Sequence, residues 1–497
     1  MFDLKSFRKG VDEFSSETSL EYYLNWAGLK EDLNLSNIFN KYANLFDRQN
    51  VTIIKKMRTK ERKGGEIERR LRYLQAFATE ESLGHSVKEY TDEFETVASK
   101  EIIKIDGEQI PFRLAEVKVL NEDDRKKRSM LFRARNTIID DKLTPILKRR
   151  VEKLHSIAHE FGYRDYVWLF RDTKNINFQE LSDSMTYFVE RTESLYVDKM
   201  DEAMQKVIGV HLREAEKHDA AHVFRAKEYD SYFRKENASP VLENTLRGIG
   251  YSIKKYRNIL IDVEERPRKL PRAFTSVIKV PGDVRLVVMP KGGQDDYTSM
   301  LHEAGHTMHY ALVDPKSPVE YKRLGDASVT ETYAFLLEYL TLNKTWLKEN
   351  VGITEFDKYL DFAYLYKLYF LRRYAAKLKY ELILHQGNEV DNMSEVYREK
   401  MEESLKFQHP EAHYLTDTDD GFYTSQYLRA WIFESQLRAY LVEKVGEAWF
   451  KSLKTGRILG GLWSKGQKYD VVELAQRIGY KGLDVKPLLS EIQEHFA

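Results

Sequence analysis

Apolar positions in the first 98 residues recur at helical spacing. Leu20, Tyr23, Leu24 and Ala27 fall at i, i+3, i+4 and i+7, and the habit repeats from Glu66 to Glu80. Residues so spaced share one face of a helix, which predicts three or four amphipathic helices joined by short polar turns. The run Lys-Glu-Arg-Lys-Gly-Gly at 60–65 reads as a solvated turn rather than a binding element. Between 101 and 119 the period changes. Ile102, Ile103 and Ile105 precede Asp106-Gly107, and Ile110, Phe112 and Leu114 follow, the pattern of a β-hairpin across an Asp-Gly turn. From 122 to 236 the pattern returns to long charged helices, including 124–162 and 178–232, with a break near Gly162.

Residues 266–318 differ again, holding six of the eleven prolines. Between those prolines, Phe274–Val280 and Val284–Val288 are rich in β-branched residues and are joined by Pro281-Gly282-Asp283, which predicts two short antiparallel strands. Asp295 and Asp296 then stand where they can cap a helix that runs through residue 302. After 325 the chain reads as helical nearly to its end, over 326–349, 354–386, 393–407, 423–455, 469–477 and 486–496. The expectation is a mainly α chain with a small antiparallel β element, and no fixed-period repeat or Gly/Ser-rich linker divides it. Two regions are expected, 1–120 with the hairpin near its end and a longer helical region over 121–497, or one continuous fold.

Composition narrows the function classes. Lys+Arg and Asp+Glu are 79 each, so no basic field invites nucleic acid. Cysteine is absent, which removes disulfides, thiolate nucleophiles and thiolate metal sites together, so a metal could be held only by histidines and carboxylates. The N-terminus lacks the apolar run of a signal peptide, and the most apolar later stretch, 359–371, is interrupted by Asp361 and Lys367. A cytoplasmic chain with no membrane or nucleic-acid partner is expected.

Within that frame residues 302–306 carry chemistry. His302, Glu303 and His306 form His-Glu-x-x-His. Two imidazoles four apart on a helix can grip one ion, and Glu303, rotated by about 100° from His302, can act as general base beside it. Two other pairs, His155/His159 and His218/His222, have the spacing without the glutamate and read as ordinary surface histidines. A catalytic zinc site needs a third protein ligand. Leu312 stands where the metzincin pattern would place a histidine, so a carboxylate from a second helix is the alternative. Residues 327–338 form an amphipathic helix with two acids seven apart, Glu331 and Glu338, on one face.

With Gly305 and His309 added, this segment resembles the thimet oligopeptidase and oligoendopeptidase F group of zinc metallopeptidases, the M3 family, whose motif is His-Glu-x-Gly-His-x-x-His with a ligand glutamate about this far on. The resemblance spans 120–497 and is strongest over 266–435. It implies that His302, His306 and Glu331 bind one Zn2+ per chain and that Glu303 activates the water. Glu338 is placed as a partner orienting a ligand imidazole, and His309 as a supporting residue or substrate contact. The segment 420–431 resembles the family's Gly-Tyr-rich stretch facing the metal, with Tyr423 and Tyr427 matching two of its tyrosines. A donor there would steady the oxyanion of peptide hydrolysis. The chain departs from the family at Ala430, where larger members carry tyrosine, and at Thr418, where they carry histidine; His413 is the nearest histidine, and whether it takes that place is left open by the sequence. The implied fold is a helical, zincin-like bowl or clamshell whose channel admits short unfolded peptides and cleaves their internal bonds. Rival readings are a zinc carboxypeptidase of similar helical fold, a peptide-binding protein without catalysis, and a helical scaffold with a fortuitous motif.

Overall fold

The Asp-Gly pair turns the chain as its residue types allow. Asp106 and Gly107 take positive φ, 50° and 80°, the type I′ geometry whose twist matches paired strands. Across it β1 (Ile102–Ile105) and β2 (Glu108–Pro111) pair antiparallel, with Ile105 opposite Glu108. The second strand is shorter than its alternation suggested, because Phe112–Asn121 is a helix that takes Phe112 and Leu114 with it. Phe112, Ala115 and Val119 are buried at helical spacing, so the residues after Pro111 satisfy both periods and the helical face wins by its burial.

These features come from a computed structural model that describes residues 2–225, 227–387 and 389–497. The chain is mainly α, with 70% of it helical, and its named strands form one two-stranded and one three-stranded sheet. No described helix is long and apolar enough to cross a membrane. Two compact units are built from interleaved stretches rather than consecutive ones. The first comprises Met1–Thr79, Lys227–Leu360 and Arg429–Glu491; the second comprises Glu80–Ala226, Asp361–Leu428 and Ile492–Ala497.

In the first unit the two expected strands are present as β4 (Phe274–Lys279) and β5 (Asp283–Val287), paired antiparallel. A third strand, β3 (Ile259–Asp262), lies parallel to β5 on its other side, giving the order β3-β5-β4. Four residues hold too little periodicity to announce a strand. The parallel partner that makes it one arrives from later in the chain. Successive β4 side chains point to opposite faces. On one face Phe274 meets Trp26 edge-on at 5.5 Å, Ser276 Oγ donates to the Ser19 carbonyl at 3.0 Å, and Ile278 packs with Tyr23 and Ala27 of the N-terminal helix segment. On the other face Thr275 reaches the helix Gln294–Ala311, which carries the His-Glu motif.

The second unit holds the hairpin and most of the charged helices. The expected 124–162 stretch is helical over Arg125–Ile138 and Thr144–Glu160, joined by a single wider turn, and ends at Gly162, where φ is +75°. The 178–232 stretch is not continuous. It breaks into Phe178–Arg191, Glu193–Val207 and Lys217–Val223, where Thr192 bonds its hydroxyl back to the Phe188 carbonyl and Gly209 takes φ +81°. The same cause divides 423–455: Tyr423–Val445 ends before Gly446, at φ +106°, and helix resumes at Leu453.

Candidate metal centre

Gly293, with φ +106°, occupies the position before the His-Glu helix, and the two aspartates lie inside its first turn rather than capping it. Asp296 turns back instead, its Oδ2 accepting from the backbone N–H of Lys291 and of Gly292 at 2.5 Å each. Further along, Gly305 meets the helix Ala327–Glu338 backbone to backbone. A Cβ at 305 would lie 2.3 Å from the Tyr333 carbonyl oxygen and 2.5 Å from Ala334 Cα. Only glycine permits this crossing, and it brings the acid helix onto the histidine face.

The crossing gathers three candidate ligands. His302 Nε2 and His306 Nε2 lie 3.4 and 3.6 Å from Glu331 Oε2, and one donor atom from each residue falls within 4.8 Å of the other two. Two ligands of a tetrahedral zinc, each about 2.0–2.1 Å from the ion, sit about 3.4 Å apart. The spacing of the three residues therefore suits one zinc-sized ion. Among the described residues this is the one such His/Asp/Glu group.

The other face of each imidazole is occupied. His302 Nδ1 is 2.7 Å from Glu338 Oε2, and His306 Nδ1 is 2.7 Å from Thr330 Oγ1. With both Nδ1 atoms engaged, both Nε2 atoms are directed at Glu331, the arrangement in which an outer partner fixes a ligand's ring. Thr330 was not a candidate from the sequence; its position next to Glu331, on an acid helix already suspected, is the signal that could have found it. Phe335 lies edge-on to His302 at 5.2 Å and stacks on Trp431 at 4.9 Å, giving the centre an apolar wall. Burial lowers the pKa of both histidines. For His302 the adjoining Glu331 and Glu338 carboxylates outweigh it and raise the pKa well above the ordinary value; for His306 burial prevails. A cation bound here would replace that proton in holding the carboxylates.

Glu303 is half-buried beside the cluster. Its carbonyl accepts from Thr275 Oγ1 at 2.8 Å, and among the described residues its carboxylate has no hydrogen bond or ion pair. β4, which supplies Thr275, is an edge strand, although Arg323 already donates to its Val277 and Ile278 carbonyls. His309 is wholly buried, stacked on Tyr310 at 5.1 Å and edge-on to Tyr333 at 5.0 Å, and is not part of the cluster. Burial pushes its pKa down to about 3, so it is a neutral packing group.

Tyr423 and Tyr427 belong to the second unit, in the first turns of their helix, with ring centroids 5.1 Å apart. The segment before them is tightly held. Gly421 and Phe422 both take left-handed φ, 62° and 57°; Tyr166 Oη accepts from the Gly421 N–H at 3.1 Å, and Glu381 Oε1 accepts from the Asp419 N–H at 2.7 Å. His413 does not serve as a free histidine for them, since its Nδ1 is 2.7 Å from Lys217 Nζ and its Nε2 is 2.9 Å from Asn136 Oδ1. Among the described residues, neither of the other spaced histidine pairs joins a ligand group. His155 is engaged by His385 at 2.9 Å, and His218 is not the surface residue its charged surroundings suggested but is fully enclosed against Phe132 and Asp219.

In comparisons by sequence, no protein-family model and no curated protein matches this chain.

Proposed function

We propose that the chain is a zinc-dependent oligopeptidase that hydrolyses internal bonds of short unfolded peptides. The observation that supports this reading is the close placement of His302, His306 and Glu331, three donors able to hold one ion, beside Glu303, whose carboxylate has no hydrogen bond or ion pair among the described residues. Structural zinc sites are closed by four protein ligands, whereas an open position belongs to catalysis. His302, His306 and Glu331 would hold the ion, and zinc bound there supplies Lewis acidity, polarising a carbonyl and bringing the pKa of water toward neutrality. Glu303 is the general base: it takes the proton from the attacking water and returns it to the leaving amine. Thr275 fixes the backbone of Glu303 through its carbonyl. The choice of peptide as substrate, the channel that would exclude folded proteins, and the oxyanion donors Tyr427 and Tyr423 rest on the resemblance of the motif and the tyrosine segment to the oligopeptidase family.

The test compares wild type with Glu303→Gln on a mixed peptide library, read by mass spectrometry together with metal analysis. Both proteins are expected to hold one zinc, and only wild type is expected to yield internal cleavage products. Equal cleavage by the two sinks the role of Glu303. Loss of single C-terminal residues would make the protein a carboxypeptidase, an intact library with zinc bound would leave a binding protein, and absence of zinc would leave a scaffold.

A further inference from the structure

The two imidazoles of the centre are anchored by different chemistry. Glu338, at Nδ1 of His302, can as a carboxylate only accept, so it fixes the proton on Nδ1 and the lone pair on Nε2. Thr330, at Nδ1 of His306, is a hydroxyl that can donate or accept, so by itself it leaves the tautomer open. The opposite nitrogen resolves this. His306 Nε2 faces Glu331 Oε2 at 3.6 Å, the side on which an ion would be held. A His306 that ligates through Nε2 carries its proton on Nδ1, and Thr330 Oγ1, 2.7 Å away, is then the acceptor of that proton. Thr330 is buried, which leaves little water to take its place.

We propose that Thr330 is a positioning residue that holds His306 in the Nε2-ligating tautomer by accepting from its Nδ1–H, so that its hydroxyl rather than its bulk sets the metal affinity of the centre. The proposal rests on the zinc reading above and adds a residue that the His-Glu motif does not contain. It also gives the acid helix two consecutive duties: Thr330 orients one ligand, and Glu331 is another. The Gly305 crossing is what lets both reach the histidine face at once.

Zn2+ affinity of the full chain, measured by competition with a chromogenic chelator at fixed pH, separates hydroxyl from bulk. Thr330→Val keeps the shape and removes the hydroxyl; Thr330→Ser does the reverse. Thr330→Val is expected to weaken Zn2+ binding about 10–100-fold, in the range found for outer partners of metal-bound histidines. Thr330→Ser is expected to stay near wild type. Wild-type affinity in Thr330→Val, or equal losses in the valine and serine variants, would overturn the proposal while leaving the zinc site intact. If melting of the metal-free protein shows that Thr330→Val does not fold, Thr330→Ala and Thr330→Ser decide: a serine variant that binds Zn2+ no more tightly than the alanine variant overturns the proposal. A wild type that takes up no Zn2+ overturns the proposal and the reading beneath it together.

Discussion

At the scale of single residues, the centre is made by which nitrogen of each histidine is left over. Glu338 shows the same logic as Thr330 with a stronger partner, because a carboxylate at 2.7 Å both fixes the His302 ring and raises its basicity. Glu338→Ala is therefore expected to weaken zinc binding about 10–100-fold, measured by chelator competition, without removing a ligand. An unchanged affinity would mean that the packing of Phe335 against the ring suffices to orient it. His309 carries the opposite lesson. It shares the histidine stripe of the motif in sequence, yet it is closed in by Tyr310 and Tyr333, and only packing distinguishes it from its neighbours.

At the scale of elements, the crossing of the His-Glu helix over the Ala327–Glu338 helix depends on one missing side chain. A glycine inside a helix costs about 1 kcal/mol relative to alanine, so Gly305→Ala would stabilise an isolated helix. Here the added methyl would lie 2.3 Å from a backbone carbonyl of the neighbouring helix, and neither backbone can step aside without moving the ligands it carries. Overpacking a well-filled core costs about 1–3 kcal/mol, and this contact belongs at the upper end. Gly305→Ala is expected to lower stability by about 2 kcal/mol net in urea unfolding, with weakened zinc binding alongside. A more stable variant would refute the close crossing. The same competition between local preference and packing explains residues 112–119, whose apolar positions suit strand and helix alike until Phe112, Ala115 and Val119 are buried together.

At the scale of the whole molecule, each unit encloses titratable groups that its sequence neighbours do not reveal. His309 in the first unit is held neutral by burial, with a pKa of about 3. His385 in the second is lowered well below the ordinary value by burial, with the nearby His155 adding to it. An unfolded histidine takes up its proton near pH 6.5. Below that pH the unfolded chain binds protons that the folded chain refuses, so stability falls with falling pH, by about 1.4 kcal/mol per pH unit for each such histidine. For His309 the loss runs from about pH 6.5 down to its folded pKa of about 3. Urea midpoints of the metal-free protein are expected to decline across that window, and less steeply in His309→Gln than in wild type. Parallel slopes would show that His309 does not stay neutral in the folded chain.

The sequence by itself determined whatever depends on near neighbours. The His-Glu-x-x-His spacing, the Asp-Gly turn, the β4–β5 pair and the stop at Gly162 are all set within a few residues by backbone geometry and side-chain period. It also pointed to Glu331 and Glu338, because seven residues on a helix return to one face. Only the tertiary structure decided what those faces meet. It brought β3 alongside β5, interleaved six stretches of chain into two units, enclosed His218 and His309, and set Thr330 against His306. The physical reason is that periodicity encodes which side of an element is buried but not which element will bury it. That choice is made by close packing, here at a glycine where two helix backbones touch.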